Sequence, residues 1–319
     1  MSTTPTAVTD EPHDPDDVIE HVNANIQHGW KLNQFLEWID RRAHETGIRP
    51  HLLTLQELQE DQAAMVAERL GLAFVEAPNV RPGSRNALLY DAAVFQPDPG
   101  WTPYPPEIRH RPATARLHLI DPATGALSRR KLSVASIHLD FGNPSARGDQ
   151  LRWLLSNMVH DGRLGFVAGD FNSWPEWGCP LTLDNVEDRA YALNRSILDP
   201  DGTMRPDDQA DRLMAYRHMV DVGRYAATVL GQTGADRATT GHGPDKIRQL
   251  VPDADLPPGG IGPIDRTHVS DELPDALISS ETPTSPEVQA FSDHAPQITR
   301  WGRHGLWVVM NRPVVVFRH

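Results

Sequence analysis

The sequence of 319 residues has one cysteine, Cys179, and three lysines, Lys31, Lys131 and Lys246. A lone cysteine forms neither an internal disulfide nor a thiolate metal cage, so packing alone must stabilise the fold. No stretch approaches the ~18 uninterrupted apolar residues of a membrane helix, and the first residues lack the basic and apolar regions of a secretion signal. We therefore expect a cytoplasmic protein with no membrane span.

Positive charge is also scarce. The chain has 30 basic and 43 acidic residues, a formal net charge of −13 at pH 7. This is the wrong sign for a protein that coats nucleic acid nonspecifically, although a local basic groove is still allowed. Acidic residues gathered in one cleft are also what a hard divalent cation requires. The acidic excess is therefore compatible with a metal site as well as with a solvated surface.

The chain has the pattern of one mixed α/β domain over residues 18–319, preceded by a disordered acidic tail at 1–17. Alternating and helical apolar periods predict β-α-β-α-β from Val18 to about residue 78, followed by a hairpin between RLHLID and RKLSVASIHLD. The segment 174–262 has a weak signal, with a helix predicted over about 207–230 and long loops after it. LWVVM and RPVVVFR predict a C-terminal hairpin within 302–319.

Polar residues stand at the ends of the predicted strands, where open α/β sheets place their sites. Their types suit oxygen ligation of a hard cation, amide hydrogen bonding and proton transfer. Taken singly, each also fits a structural role, such as an Asx turn, a cap or a half-buried histidine. The set comprises Asn25, Glu57, His138, Asp170, Asn172, Asp265, Asp293 and His294.

The motifs around these residues are NIQHG, LQE, SIHL, GDFN, IDRTHVS and SDHAP. In this order they resemble those of the endonuclease/exonuclease/phosphatase superfamily, which includes deoxyribonucleases, abasic-site endonucleases, sphingomyelinases and inositol polyphosphate phosphatases. The resemblance spans about residues 18–301. It implies an α/β (α+β) fold, a four-layer α/β/β/α sandwich with two mixed β-sheets packed face to face and a site at one edge.

The same resemblance implies roles for the strand-end residues. Glu57, Asn25 and Asp293 take the metal positions, with Mg²⁺ as the expected ion and Mn²⁺ as the alternative. Asp170 is in the position of the carboxylate that orients or deprotonates the attacking water, and Asn172 in that of the amide that fixes the water or a phosphate oxygen. His294, oriented by Asp265, is placed to contact the scissile phosphate. His138 is where deoxyribonuclease-like and sphingomyelinase-like members carry a second histidine, although no carboxylate that orients it is identifiable.

The sequence therefore predicts a Mg²⁺-dependent phosphodiesterase that acts on nucleic acid. One alternative keeps the fold and the metal but has a small phosphorylated substrate, such as a phospholipid head group, a sugar phosphate or a nucleotide. A second alternative is a binding module without catalysis. No obligatory protein partner is evident. The roles of three further groups stay open. The loop residues His28, Trp30 and Lys31 could contact substrate, and the glycine-containing segment TTGHGPDK could form a lid. A phosphate groove could be lined by the arginines Arg81, Arg85, Arg109 and Arg111.

Overall fold

The computed structural model describes residues 14–77, 84–99, 110–159, 162–177, 189–241 and 262–314. Most of the predicted acidic tail, Cys179, Arg81, Arg109 and most of the predicted lid lie outside the described residues. Within the tail, Pro15–Asp17 forms one turn of 3-10 helix, and Asp17 accepts a hydrogen bond from the backbone N–H of His304. The predicted boundary of disorder is therefore corrected at its C-terminal end, because residues 15–17 are already helical.

The described chain alternates strands and helices along most of its length. The helices are Leu32–Thr46 (α1), Gln62–Leu70 (α2), Pro144–Met158 (α3), Arg189–Asn194 (α4), Gln209–Tyr216 (α5), Val222–Thr228 (α6), Pro286–Phe291 (α7) and Arg303–Asn311 (α8). The first strands are Val18–Asn25 (β1), Pro50–Leu58 (β2), Ala73–Ala77 (β3), Arg85–Tyr90 (β4), Phe95–Pro97 (β5), Ala113–Leu119 (β6) and Leu132–His138 (β7). The others are Leu164–Asp170 (β8), Ser196–Leu198 (β9), Met204–Pro206 (β10), Met219–Asp221 (β11), Asp265–Ser270 (β12), Leu277–Glu281 (β13) and Gln297–Gly302 (β14).

Twelve of these strands form two six-stranded sheets with similar plans. The first has the order β13-β14-β1-β2-β4-β3, and the second has the order β11-β12-β8-β7-β6-β5. Each sheet contains one parallel pair, β1 with β2 and β7 with β8, whose strands are joined by the crossover helices α1 and α3. The neighbouring strands pair antiparallel, including the predicted pair β6 and β7. Both sheets are therefore mixed.

Three apolar clusters hold four layers together. One lies between the sheets and includes Leu88, Val134 and Trp301. A second packs α1, α2 and α7 on the outer face of the first sheet, around Phe35 and Phe291, while a third packs α3 and α5 on the second sheet. Burial of apolar surface on both faces of each sheet is the main stabilising term for such an arrangement. The predicted four-layer α/β/β/α sandwich is confirmed.

The predicted C-terminal hairpin is wrong, because Arg303–Asn311 is the helix α8. The buried residues of this helix are Leu306, Val309 and Met310, whose spacing of three and four marks one helical face. A short run of β-branched residues cannot be assigned to strand or helix by periodicity alone, and here packing on the inter-sheet core selects the helix. Residues 315–319 lie outside the described part.

The helix predicted over about 207–230 is divided. α5 ends at Tyr216, the backbone of His218 has a φ of 55°, and the short strand β11 pairs with β12 before α6 begins. Asp221 caps α6, since its side chain accepts a hydrogen bond from the N–H of Arg224. A left-handed residue and an N-cap between two apolar stretches explain why one helix is not formed.

None of the helices that the structure describes has the length and apolarity needed to span a bilayer.

Candidate active site

Strand register brings the predicted residues to one edge of the sandwich. His138 at the end of β7 pairs with Asp170 at the end of β8, which in turn pairs with Asp265 at the start of β12. In the facing sheet, Asn25 ends β1, and Glu57 lies next to the end of β2. Because parallel strands end at the same edge, both sheets direct polar side chains towards the same cleft.

Asn25, Glu57 and Asp170 are in direct contact across the two sheets. The Asn25 Nδ2 donates to Glu57 Oε1 at 3.1 Å and to Asp170 Oδ2 at 3.2 Å. His138 Nε2 lies 3.6 Å from Asp170 Oδ2 and 3.9 Å from Glu57 Oε1. Two carboxylates thus converge on one amide nitrogen, with an imidazole beside them.

Local backbone irregularity places Glu57. The pairing of β2 with β4 shifts register between Leu55 and Leu58, and Glu57 has a φ of 61°. A left-handed residue within a strand is strained, and such residues are common at functional sites. The carboxylate is then held by the backbone N–H of His28, which donates to Oε2 at 3.0 Å.

His294 and Asp265 form the second half of the cluster. His294 Nδ1 hydrogen-bonds to Asp265 Oδ2 at 2.8 Å, and Nε2 lies 4.0 Å from Asp293 Oδ1. Ligand atoms of Asp170, Asp265 and His294 lie within 4.8 Å of one another. The hydrogen bond to Nδ1 leaves Nε2 as the ring nitrogen that can act in the cleft.

The surrounding carboxylates set the charge of this pair. Burial alone would disfavour the imidazolium, but Asp265, together with Asp170 and Asp293, outweighs burial and raises the pKa of His294 to about 10. Burial raises the pKa of Asp265 to about 6, against the opposing attraction of His294. The carboxylates around the ring therefore favour the imidazolium form of His294.

The first residues of TTGHGPDK, the segment that the sequence singled out as a lid candidate, support this pair. Thr239 Oγ1 accepts from the backbone N–H of Asp265, and its carbonyl accepts from the N–H of Ala295. The N–H of Gly241 donates to the carbonyl of Asp293. These bonds connect the loop carrying Asp293 and His294 to the start of β12. The sequence indicated a loop that could fold over the site, but it gives no signal for these particular hydrogen bonds.

Asn172 is held on three sides. Its φ is 50°, its N–H donates to Asp170 Oδ1 at 2.8 Å, and its Nδ2 donates to the carbonyl of Leu139 at 3.1 Å. Its Oδ1 accepts from Arg195 Nη2 at 2.8 Å. Arg195, from the weakly patterned segment after residue 174, carries no motif and was missed from sequence.

His138 has a neighbour that the sequence did not predict. Its ring stacks on His110, with centroids 4.5 Å apart and planes 25° apart. Its Nδ1 is buried and has no hydrogen-bond partner within the described residues. Its Nε2 faces the carboxylates of Asp170 and Glu57.

These residues line a cleft of about 880 Å³. His28 and Trp30 are on its rim, and the Trp30 side chain is 69% exposed. Aromatic Phe141 and Tyr191 also face the cleft. Arg85 is not part of it, because its guanidinium pairs with Glu60 and Glu76.

The donor set fits a hard divalent cation. Mg²⁺ prefers one or two carboxylates with additional oxygen ligands, and Glu57, Asp170 and Asp293 supply carboxylates on one cleft. Asn25 is oriented differently from the metal-ligand prediction. Its Oδ1 accepts from the N–H of Gln27, so a ligand role for Asn25 requires a 180° rotation of the amide.

A second Asp–His cluster lies on the other face of β12. Asp211, Asp221 and His268 also place ligand atoms within 4.8 Å of one another. However, Arg266 Nη2 lies 3.0 Å from Asp211 Oδ1, and both oxygens of Asp221 accept hydrogen bonds, from Arg224 N and Trp177 Nε1. The guanidinium of Arg266 thus offsets the charge of Asp211 within this cluster.

Comparison with known proteins finds similarity only at the level of structure, as no protein-family model and no curated protein matches the sequence. An AP endonuclease from Archaeoglobus fulgidus superposes with a TM-score of 0.57 at 14% identity, covering 88% of this chain and 98% of that one. An endonuclease/exonuclease/phosphatase protein from Bacteroides vulgatus superposes with a TM-score of 0.55 at 16% identity, covering 89% and 98%. A 3'-5' exonuclease from Neisseria meningitidis gives a TM-score of 0.55 at 16% identity, covering 89% and 99%.

The fold is therefore the two-sheet sandwich of endonuclease/exonuclease/phosphatase proteins, as the resemblance of the sequence motifs implied. The match extends over nearly the full length of these neighbours.

Proposed function

We propose that this protein is a divalent-metal-dependent phosphoesterase of the endonuclease/exonuclease/phosphatase superfamily, and that it hydrolyses phosphodiester bonds in nucleic acid with Mg²⁺ as the ion. The observation that carries the proposal is the meeting of Glu57 and Asp170 with the Asp265–His294 pair in one cleft. Structural neighbours named as AP endonuclease and exonuclease support the choice of a nucleic-acid substrate.

Phosphodiester hydrolysis builds negative charge on the phosphoryl oxygens, which the site must stabilise. A bound Mg²⁺ supplies Lewis-acid stabilisation of this charge, and Glu57, Asp293 and a rotated Asn25 are the residues that would hold it. His294 is cationic, and its Nε2–H is free to donate to a nonbridging oxygen because Asp265 holds Nδ1. The charge on this ring therefore opposes the charge that develops on the phosphate.

Asp170 is placed to position the attacking water. The backbone N–H of Asn172 donates to its Oδ1, and this contact, unlike the one from Asn25 Nδ2 to its Oδ2, does not depend on the orientation of the Asn25 amide. Its Oδ2 lies 3.6 Å from His138 Nε2, which places an imidazole within reach of the same water or of the leaving oxygen. Groups that transfer a proton in the transition state contribute about 10²–10⁴-fold in rate.

The test uses nicking of supercoiled plasmid and hydrolysis of bis(p-nitrophenyl) phosphate, each with Mg²⁺ or with chelator. Asp170→Asn should reduce both activities by about 10²–10⁴-fold. Asp149→Asn is the matched control, since this carboxylate is exposed on α3 and, within the described residues, forms an ion pair with Arg152 alone. Full activity of Asp170→Asn, or activity of the wild type in chelator, would refute the mechanism.

One observation favours a second candidate, a small phosphorylated substrate. Among the described residues that line the cleft, Arg195 is the only arginine and no lysine is present. Proteins that bind polynucleotides through many phosphate contacts lose affinity steeply with salt. The small-substrate candidate predicts that KM for a single-stranded oligonucleotide rises little between 50 and 200 mM salt. It also predicts that a nucleotide or sugar phosphate is turned over faster than the oligonucleotide.

A further inference from the structure

Hydrogen-bond partners at both ends fix the side-chain amide of Asn172. An amide side chain can rotate by 180° and exchange its donor and acceptor ends, and only hydrogen-bond partners select one orientation. In this protein, Arg195 Nη2 lies 2.8 Å from the end of Asn172 opposite to the Leu139 carbonyl. A guanidinium only donates, so the atom that faces it must be Oδ1. Nδ2 then faces Leu139 and keeps one further N–H for the cleft.

The guanidinium is itself fixed by other contacts. Arg195 Nη1 donates to the carbonyl of Phe141 at 3.0 Å, and the group lies over the Tyr191 ring, 4.8 Å from its centroid. Its Nε has no hydrogen-bond partner within the described part of the chain, although it is buried. The two Nη contacts therefore determine where the guanidinium lies, between Asn172 and the loop after β7.

A buried ion pair anchors the segment that carries Arg195. Arg147 of α3 donates through Nε to Asp207 Oδ2 at 2.8 Å and through Nη2 to the carbonyl of Asn194 at 2.6 Å. The N–H of Asp207 donates to the carbonyl of Arg195, and that of Trp174 to the carbonyl of Asp207. The backbone of Arg195 is thus tied both to a helix of the sandwich and to the chain that leaves β8 after Asn172.

We propose that Arg195 is a positioning residue that acts through Asn172. The segment Arg189–Asp208, with α4, β9 and β10, delivers it to the site, and it holds the amide so that one Nδ2–H faces the reacting phosphate or water. The inference rests on the proposed phosphoesterase function. Groups that orient a catalytic residue in this way typically affect activity by 10–100-fold.

The first measurement is steady-state kinetics of Arg195→Gln and Arg195→Lys on bis(p-nitrophenyl) phosphate with Mg²⁺. Lysine keeps the charge but lacks the planar fork that joins Asn172 and Phe141, so a positioning role predicts the same fall in kcat, about 10–100-fold, for both variants. KM should change little, because the lost contact matters in the transition state. Near-wild-type kcat for Arg195→Lys would overturn the proposal in favour of a simple charge effect.

A double-mutant cycle with Asn172→Ala separates action through Asn172 from direct contact with substrate. If Arg195 acts through the amide, Arg195→Gln should cost less than about twofold in kcat when Asn172 is already alanine. Multiplicative losses would overturn the proposal. Arg205→Gln is the matched control, since Arg205 lies in the same segment and its partners Asp199 and Asp208 are away from the cleft.

A readout without turnover keeps this test separate from the proposed function. The side-chain amide signals of Asn172, assigned in ¹⁵N-labelled protein by their loss in Asn172→Asp, should shift and broaden in Arg195→Lys but not in Arg205→Gln. Unchanged Asn172 signals would overturn the positioning role whether or not the protein hydrolyses phosphoesters. Absence of turnover in the wild type, with the expected change in these signals, would instead reject only the proposed function.

Discussion

Strand β12 carries two Asp–His clusters that use the same residue types under opposite electrostatic conditions. Asp265, at the start of the strand, binds His294 and has Asp170 as a further neighbour. His268, three residues later, contacts Asp211 at 3.4 Å, and the further neighbours there are the carboxylate of Asp221 and the guanidinium of Arg266. Both clusters add a carboxylate to the pair, and the second also contains a guanidinium.

The carboxyl pKa values differ in direction as a result. Burial raises the pKa of Asp265 to about 6, and Asp170 adds to this shift. Burial alone would also raise the pKa of Asp211, but Arg266 and His268 outweigh it and lower the value to about 2. The comparison shows that a count of possible ligands does not define a metal site, because the internal charge balance decides whether a cation is needed.

The largest expected difference between the clusters is in activity. Asp265→Asn should lower kcat on bis(p-nitrophenyl) phosphate by about 10²–10⁴-fold, since the cationic His294 ring loses the carboxylate that orients it. Asp211→Asn should leave kcat nearly unchanged in folded protein, as judged by circular dichroism. Equal losses from the two substitutions would remove the functional distinction between the clusters.

The second difference is in stability. Arg266→Met leaves the buried Asp211 carboxylate without its guanidinium, so the free energy of unfolding in urea should fall by about 3–5 kcal/mol. Arg266→Met combined with Asp211→Asn should restore a large part of this loss, because the uncompensated charge is removed as well. If the free energy of unfolding of Arg266→Met falls by only about 0–1 kcal/mol, the loss is that of an exposed ion pair and contradicts the burial of this one.

The smallest effect concerns acid stability. The pKa of Asp211 lies below its unfolded value of 3.8, at about 2. Its ion pairing therefore stabilises the fold above about pH 4, and this contribution, on the order of 2 kcal/mol, is lost as the pH falls through the folded pKa. Unfolding free energies measured between pH 6 and pH 2 should fall less for Asp211→Asn than for the wild type. If the curves of unfolding free energy against pH are parallel for the two proteins, Asp211 does not cause the loss of stability in acid.

Asn25 and Asp170 could be predicted because each ends a strand with an apolar pattern. Asp170 follows LGFVAG and Asn25 follows the run from Val18, and register then brings them together. The resemblance of six short motifs supplied their roles. The fold could be predicted for the same reason, since these strands and α1 to α3 have clear periods.

The parts that could not be predicted depend on long-range contacts between weakly patterned segments. Arg195 reaches Asn172 from 23 positions away in the chain, and Thr239 supports Asp265 from 26 positions away. Neither segment has a hydrophobic period or a motif that indicates such a contact. The helix at Arg303–Asn311 was missed for another reason, as its β-branched residues favour a strand until the packing surface is known.

The most direct test of the central claim is a crystal structure of the protein soaked with Mn²⁺, with data collected to locate anomalous scattering. One strong peak is expected in the cleft beside Glu57, which is lost in Glu57→Gln, and no peak is expected at the cluster of Asp211, Asp221 and His268. A peak within ligand distance of Asp211 and His268, or the absence of a peak beside Glu57 with Mn²⁺ bound elsewhere, would contradict this claim.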